Sequence, residues 1–342
     1  MTGTSNTVTD EAHAAVWRRM LAVAKHLREQ RPSSVPQASP IVQMRQGSGG
    51  VPVYWIEPDL DEFKLGQLIT SNNPIYAVEV RQPSAWYDLA ARNDTKGLPS
   101  TEQIAAQYVA AIKAHTASRC VIAGYSFAGV IAFEAARQLA PFNIRVQTIL
   151  LLDTVAVSPS SHEAAWQKLK EIWFPAANNS AATSATARVT NSLWIIKWLL
   201  GFKWTGLSNL IISALLRPAP RLTTRLDDVG KPITWPQIKF VYDNAMSSYR
   251  LCQRDCRGVL FRAESREDVT EYLETHLGWE GLFQKGLEIV SVPGGHMSML
   301  GQPYADALAR EISLVLTQMP AEREEREAAR ATSEQYSEQR IA

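Results

Sequence analysis

Cysteine is scarce in this chain: 3 in 342 residues, at positions 120, 252 and 256. Three thiols cannot build the disulfide framework of a small secreted scaffold, so a reducing, cytoplasmic compartment is expected. Cys252 and Cys256 lack the further Cys or His partners that a zinc site needs, and are expected to pack on a helix. An excess of one charge is missing too. Lys and Arg number 35 against 34 Asp and Glu, a formal +1, which leaves no electrostatic footprint for nucleic acid. Met1 to Thr7 has no basic start followed by an apolar run, so no signal peptide is read. The most apolar stretch, Leu193 to Leu216, is broken by Lys197, Lys203 and Gly206-Leu207-Ser208. No clean run of about 20 apolar residues remains, and no stable membrane insertion is expected. No internal repeat is visible. What is left is a length that suits one large α/β domain with an insertion.

The most informative segment present is Gly124-Tyr125-Ser126-Phe127-Ala128-Gly129. An apolar run, Cys120 to Ala123, precedes it and reads as a buried strand. Val130 to Leu139 follows and reads as a helix. Strand, sharp turn with serine, and helix together form the nucleophile elbow of the α/β-hydrolase fold. The turn is strained, so residues flanking the serine must be small for strand and helix to cross closely. The helix N-terminus then offers backbone N–H groups to a developing oxyanion. The usual pattern is G-x-S-x-G; here Ala128 takes the last position and glycine comes one place later. Alone, such a string also fits a tight turn with an inert serine.

Two further segments add chemistry. Thr148-Ile149-Leu150-Leu151-Leu152 reads as the next parallel strand, with Asp153 at its carboxyl end, the edge where catalytic groups collect in open α/β sheets. Leu287 to Val292 reads as a short strand running into a Pro293-Gly294-Gly295 turn, with His296 after it. Serine, aspartate and histidine thus occur in the chain order of α/β-hydrolases.

With these residues in view, the chain resembles the thioesterases that serve non-ribosomal peptide and polyketide synthases, over roughly residues 40 to 315. The carriers are Ala123 to Gly129 with Ala132-Phe133-Glu134, Leu151-Leu152-Asp153, Gly258 to Ala263, Gly278-Trp279, and Val292-Pro293-Gly294-Gly295-His296-Met297-Ser298-Met299-Leu300. The last block is the most specific. The resemblance implies Ser126 as nucleophile, His296 as general base and Asp153 as orienting acid. Other hydrolases place the acid after the following strand, which makes Glu264 the competitor. Phe127 N–H is the implied first oxyanion donor. The family usually carries a glycine-rich loop after the first central strand for the second donor. Here residues 51–56 lead into Glu57-Pro58-Asp59 without glycine, and Pro58 has no N–H. Glu57 or Asp59 is left for that role. Tyr125 and Met297, beside the two reacting residues, are assigned to substrate binding.

The same resemblance implies an acyl or peptidyl carrier protein as partner, with the acyl-thioester substrate on its phosphopantetheine arm, and no cofactor or metal. No carrier-attachment serine motif or adenylation-type signature is read, so the chain is expected to be free-standing. Hydrolysis through an acyl-Ser126 ester is the expected outcome. Cyclisation or acyl transfer from the same intermediate, a general carboxylesterase, and a silent hydrolase-fold binding protein are the alternatives.

The expected organisation is an N-terminal helix and linker over 1–39, an α/β-hydrolase core over 40–157 and 246–318, an inserted helical lid over 158–245, and a charged tail over 319–342. Residues 41–46 and 51–56 suggest a hairpin across Gly47-Ser48-Gly49-Gly50. The lid holds Trp194 and Trp198, read first as lid core and more sharply as the wall of an acyl channel. Arg217, Arg221 and Arg225 recur every four residues. They read as surface charge, or as a docking patch for an acidic carrier.

Overall fold

The structure, a computed structural model, describes residues 39–116, 118–156, 222–265 and 275–319. The expectations for 1–38, for most of the insertion, including Trp194, Trp198, Arg217 and Arg221, and for the tail from 320 lie outside them.

A seven-stranded sheet organises the domain. Its strands are β1 (Ile41–Arg45), β2 (Val53–Ile56), β3 (Ile75–Val78), β4 (Arg119–Tyr125), β5 (Arg145–Leu152), β8 (Arg257–Ser265) and β9 (Leu287–Gly295), ordered β1-β3-β2-β4-β5-β8-β9. Only β1 runs antiparallel; every other pairing is parallel. β4 and β5 are buried along nearly their whole length, and mostly apolar, because helices cover both faces of a parallel sheet. The helices are α1 (Leu60–Leu68), α2 (Ser84–Ala91), α3 (Thr101–His115), α4 (Phe127–Leu139), α5 (Trp235–Ser247) and α6 (Ala305–Thr317). One core layer holds Tyr54, Ile122, Ile149, Phe133 and Trp279. The other holds Trp55, Val121, Leu150, Phe261 and Ile312. Alternate residues of each strand feed opposite layers, as the period of two requires. This is the α/β-hydrolase fold, a mostly parallel sheet flanked by helices.

Three sequence expectations are corrected. Residues 41–46 and 51–56 do not form a hairpin. β1 pairs antiparallel with β3, while β2 lies between β3 and β4. β2 is buried at all four positions and so belongs in the sheet interior. The connection before it runs so close to the start of β3 that a Cβ on Gly47 would sit 2.3 Å from Pro74 N. The described end of the expected helical lid starts as a hairpin of β6 (Leu222–Leu226) and β7 (Pro232–Thr234), turning at Asp227 to Gly230. Its β-branched residues and the left-handed Gly230 suit a hairpin. α5 then runs across the expected boundary at 245. Cys252 and Cys256 lie on no helix: α5 ends before them, Cys252 is exposed, and Cys256 is buried where the chain enters β8.

Glu134, on α4, is fully buried. It accepts hydrogen bonds from Arg137, Gln138, Tyr249 and Arg254. Burial alone would push its carboxyl up, but these donors outweigh it and hold it below the usual range. Arg254 also lies over the Phe133 ring, 4.3 Å from its centroid. A family-like residue of the helix is thereby an anchor between α4 and the segment entering β8.

Candidate active site

The elbow is built by close approach. Gly124 ends the buried part of β4, and a Cβ there would lie 2.4 Å from the Ala128 backbone. A Cβ on Gly129 would lie 2.0 Å from Thr154 Oγ1. Ala128 itself is buried and accommodated. The displaced glycine of the motif is therefore required where it stands, against the residue that follows Asp153. Ser126 sits at φ 52°, ψ −118°, and its side chain caps none of the α4 amides.

Strain recurs along this edge of the sheet. β2, β4 and β5 are neighbours, and each is followed by a non-glycine residue with positive φ: Glu57 at 48°, Ser126 at 52°, Asp153 at 43°. Such conformations cost roughly 1–3 kcal/mol each and persist only where surroundings over-determine them.

Asp153 is over-determined on every side. Its N–H donates to the Phe261 carbonyl at 2.8 Å. Its Oδ1 accepts the Ala263 N–H at 2.9 Å, and its Oδ2 lies 2.8 Å from His296 Nδ1. The carboxylate is 2% exposed, so its contact with the imidazole is made from a buried position, where such a hydrogen bond is stronger than in water. Trp279, fully buried, donates its indole N–H to the Thr154 carbonyl at 2.7 Å. The family-like Gly278-Trp279 pair thus braces the turn that carries Asp153. Glu264, the competing candidate, lies toward solvent beside Ser291, 3.5 Å from its hydroxyl. Asp153, not Glu264, meets the histidine.

His296 rides on a tight turn at the end of β9. The strand runs through Pro293-Gly294-Gly295, further than the sequence predicts. Ser298 closes the turn: its Oγ accepts the Gly295 N–H at 2.9 Å, and its own N–H donates to the Gly295 carbonyl at 3.0 Å. Gly294 has φ +94°, and a Cβ there would press on Tyr304. Tyr125, assigned to substrate from the sequence, lies against the histidine. Its ring stacks on the imidazole at 4.9 Å between centroids, and its hydroxyl donates to the His296 carbonyl at 2.5 Å. Burial, with Asp153, Glu62 and Asp59 nearby, pushes the phenol well above its usual range, so it stays a donor. Met297 is 81% exposed, with its sulfur 3.9 Å from the Tyr125 hydroxyl. Because Tyr125 adjoins Ser126 and pairs in register with Leu152, just before Asp153, the sheet brings the three predicted residues to one edge.

The oxyanion side differs from expectation. Phe127 opens α4, and its amide points from the helix start without an intrahelical partner. Glu57 and Asp59 are corrected as second donors. The Glu57 N–H donates to the Val78 carbonyl at 3.1 Å, and the Asp59 N–H to Glu62 Oε2 at 3.0 Å, inside the capping box of α1. Both amides already serve the sheet ladder or the helix cap. Glu62, 3% exposed, also accepts the Trp55 indole N–H at 2.8 Å. Burial pushes its carboxyl up to about 8, against the two N–H donors. Arg225, one of the predicted surface arginines, points instead to Glu57. Among the described residues no group of three His, Cys, Asp or Glu is arranged to hold a metal ion, and no helix is long and apolar enough to cross a membrane.

An elbow serine and a histidine held by a buried aspartate thus lie at one edge of an α/β-hydrolase fold. Residues 75–171, from β3 past the acid, match the family model of the thioesterase domain. The thioesterase resemblance read from the sequence therefore stands over the segment carrying both Ser126 and Asp153. Among solved structures, a four-domain nonribosomal peptide synthetase bound to AMP and glycine is similar to 87% of this chain at 19% identity and a TM-score of 0.52; the match spans 21% of that chain. The Vlm2 thioesterase domain bound with a dodecadepsipeptide matches 81% of this chain and 97% of its own at 16% identity, TM-score 0.46. The NocB thioesterase domain in covalent complex with a fluorophosphonate nocardicin G analog matches 80% and 99% at 14% identity, TM-score 0.45. No curated protein matches in sequence.

Proposed function

We propose that this protein is a serine thioesterase that releases an acyl or peptidyl group from the phosphopantetheine thiol of a carrier protein. The observation that carries the reading is the 2.8 Å contact between Asp153 Oδ2 and His296 Nδ1, beside an elbow serine. With Nδ1–H donated to the carboxylate, the Nε2 lone pair is left as base. His296 takes the Ser126 proton as Oγ attacks the thioester carbonyl. Asp153 stabilises the imidazolium that forms. The tetrahedral oxyanion turns to the Phe127 amide at the α4 N-terminus. Collapse expels the phosphopantetheine thiolate, which takes the proton from His296, and leaves acyl-Ser126. Water then attacks with His296 as base again, and Ser126 regains its proton as the free acid departs. An internal amine or hydroxyl in place of water would give a cyclic product from the same ester. The chemistry needs no metal.

The test uses an acyl-pantetheine thioester and the same acyl group on a carrier protein. Ser126→Ala should lose on the order of 10⁴-fold or more in turnover while keeping its fold, as when one member of a cooperative triad is removed. Mass spectrometry of wild-type protein quenched during turnover should show the acyl group on Ser126. Turnover by pure Ser126→Ala near the wild-type rate would sink the assignment.

A further inference from the structure

Residue 57 is the first after β2, the strand beside the nucleophile strand, and here the chain has glutamate at φ +48° in place of a glycine-rich turn. Every polar group of Glu57 is engaged. Its N–H goes to Val78 O. Its Oε1 accepts from the Tyr108 hydroxyl, which itself accepts from Gln82 Nε2 at 3.0 Å. Its Oε2 accepts from the Tyr242 hydroxyl at 2.5 Å and from Arg225 Nη1 at 2.8 Å. Arg225 Nη2 donates to the main-chain carbonyl of the same Glu57 at 2.9 Å. One guanidinium fork thus grips both the side chain and the backbone of a strained residue. The fork comes from β6, at the end of the insertion, and the tyrosines come from α3 and α5. Tyr242 also stacks on the Phe127 ring, 6.0 Å between centroids. The same cluster therefore touches the residue whose amide faces the oxyanion and the turn beside it.

We propose that Arg225 is a positioning residue for the oxyanion side of this site, acting through Glu57; the proposal rests on the thioesterase reading above. Two consequences follow from one contact. The fork fixes the Glu57–Pro58 peptide, and with it the entry to α1. Its charge also cancels a carboxylate that would otherwise oppose negative charge developing on the carbonyl oxygen. Burial, reinforced by the Glu57 carboxylate, pushes the Tyr108 and Tyr242 phenols well above their usual range, so both remain donors to it. A lysine could supply the charge but not the two-pronged grip.

The experiment is the rate of covalent labelling by an alkyl fluorophosphonate, whose P–O oxygen takes the place of the oxyanion, measured on folded protein well below each variant's melting temperature. Arg225→Met should label at least 10-fold more slowly. Adding Glu57→Gln, which removes the uncancelled charge, should recover much of that loss. Arg225→Lys should fall between, so the outcome survives if Arg225→Met does not fold. Arg254→Met, at the buried Glu134 pair that touches no site residue, is the control: it should lower the melting temperature and leave labelling unchanged. Wild-type labelling in Arg225→Met and Arg225→Lys, or a double variant no faster than Arg225→Met, would overturn the proposal alone. Folded wild-type protein that does not label would overturn the thioesterase reading and this proposal with it.

Discussion

The Tyr125 ring lies against the His296 imidazole, 4.9 Å between centroids and 23° from parallel, while its hydroxyl holds the carbonyl of the same histidine at 2.5 Å. One side chain thus fixes both the plane of the imidazole and the loop that carries it. The residue before Ser126 thus sets the imidazole from one side as Asp153 sets it from the other.

Tyr125→Phe keeps the stack and loses the hydrogen bond. A neutral bond of this kind is worth about 0.5–1.5 kcal/mol, so kcat should fall roughly 2- to 10-fold with KM little changed. Tyr125→Leu should lose more, because the ring contact contributes a further 0.5–1.5 kcal/mol or so. Steady-state kinetics on one acyl-pantetheine thioester separates the two; a rise confined to KM would return Tyr125 to substrate binding.

Asp153→Asn should be informative because Ala263 dictates its orientation. The Ala263 N–H requires an oxygen at Oδ1, so the amide NH₂ is forced toward His296 Nδ1. A donor there selects the imidazole tautomer with the proton on Nε2, which cannot act as base. Loss of kcat should be on the order of 10⁴-fold, the loss seen when the acid of such a triad becomes an amide. Activity within tenfold of wild type would remove Asp153 from the mechanism.

Gly129→Ala should be severe for so small a change. The new methyl would meet Thr154 Oγ1 at 2.0 Å, with Cγ2 and Cβ of the same residue within 2.8 Å. α4 must then shift from the end of β5. Overpacking of this kind costs about 1–3 kcal/mol, several degrees in melting temperature. Thr154→Gly in the same molecule should restore part of both stability and turnover. No recovery would mean that the glycine serves some other contact.

Glu62 gives a pH signature. Its folded pKa, about 8, lies above the ordinary 4.5, so its contribution to stability is fully present below 4.5 and is lost as pH rises toward 8. Glu62→Gln cannot titrate. It should pay a constant cost, since its NH₂ must face either the Asp59 N–H or the Trp55 indole, but its melting temperature should decline less between pH 5 and pH 8. Parallel curves for the two proteins would show that Glu62 does not carry that decline.

The sequence made some of this legible and hid the rest for physical reasons. Runs such as Cys120 to Ala123 and Thr148 to Leu152 announce buried parallel strands because burial on both faces demands continuous apolar residues. The strand-turn-helix context around Ser126 is local, so a motif captures it. Short strands β1 and β2 joined by a glycine-rich stretch suggest a hairpin; only the burial of β2 on both faces moves it inward, and short runs do not reveal that. Arg225 and Glu57 lie 168 positions apart, and no periodicity links residues at that distance. The sequence shows the missing glycine at 57 but not the guanidinium that answers it. Trp279 and Gly278 stood out as family-like, yet their service to the Thr154 carbonyl emerges only once the chain is folded.

Glu57, Ser126 and Asp153 all hold left-handed backbone at the ends of adjacent strands, and this sets a limit on how the protein can be improved. Glycine at any of these positions would relieve backbone strain, while removing a side chain the site uses. Selection for heat resistance alone would therefore drift toward a sturdier protein with an idle site. Thermostabilising campaigns on this scaffold should leave that edge untouched and seek their gains at the opposite end of the sheet and on the exposed faces of α3 and α6.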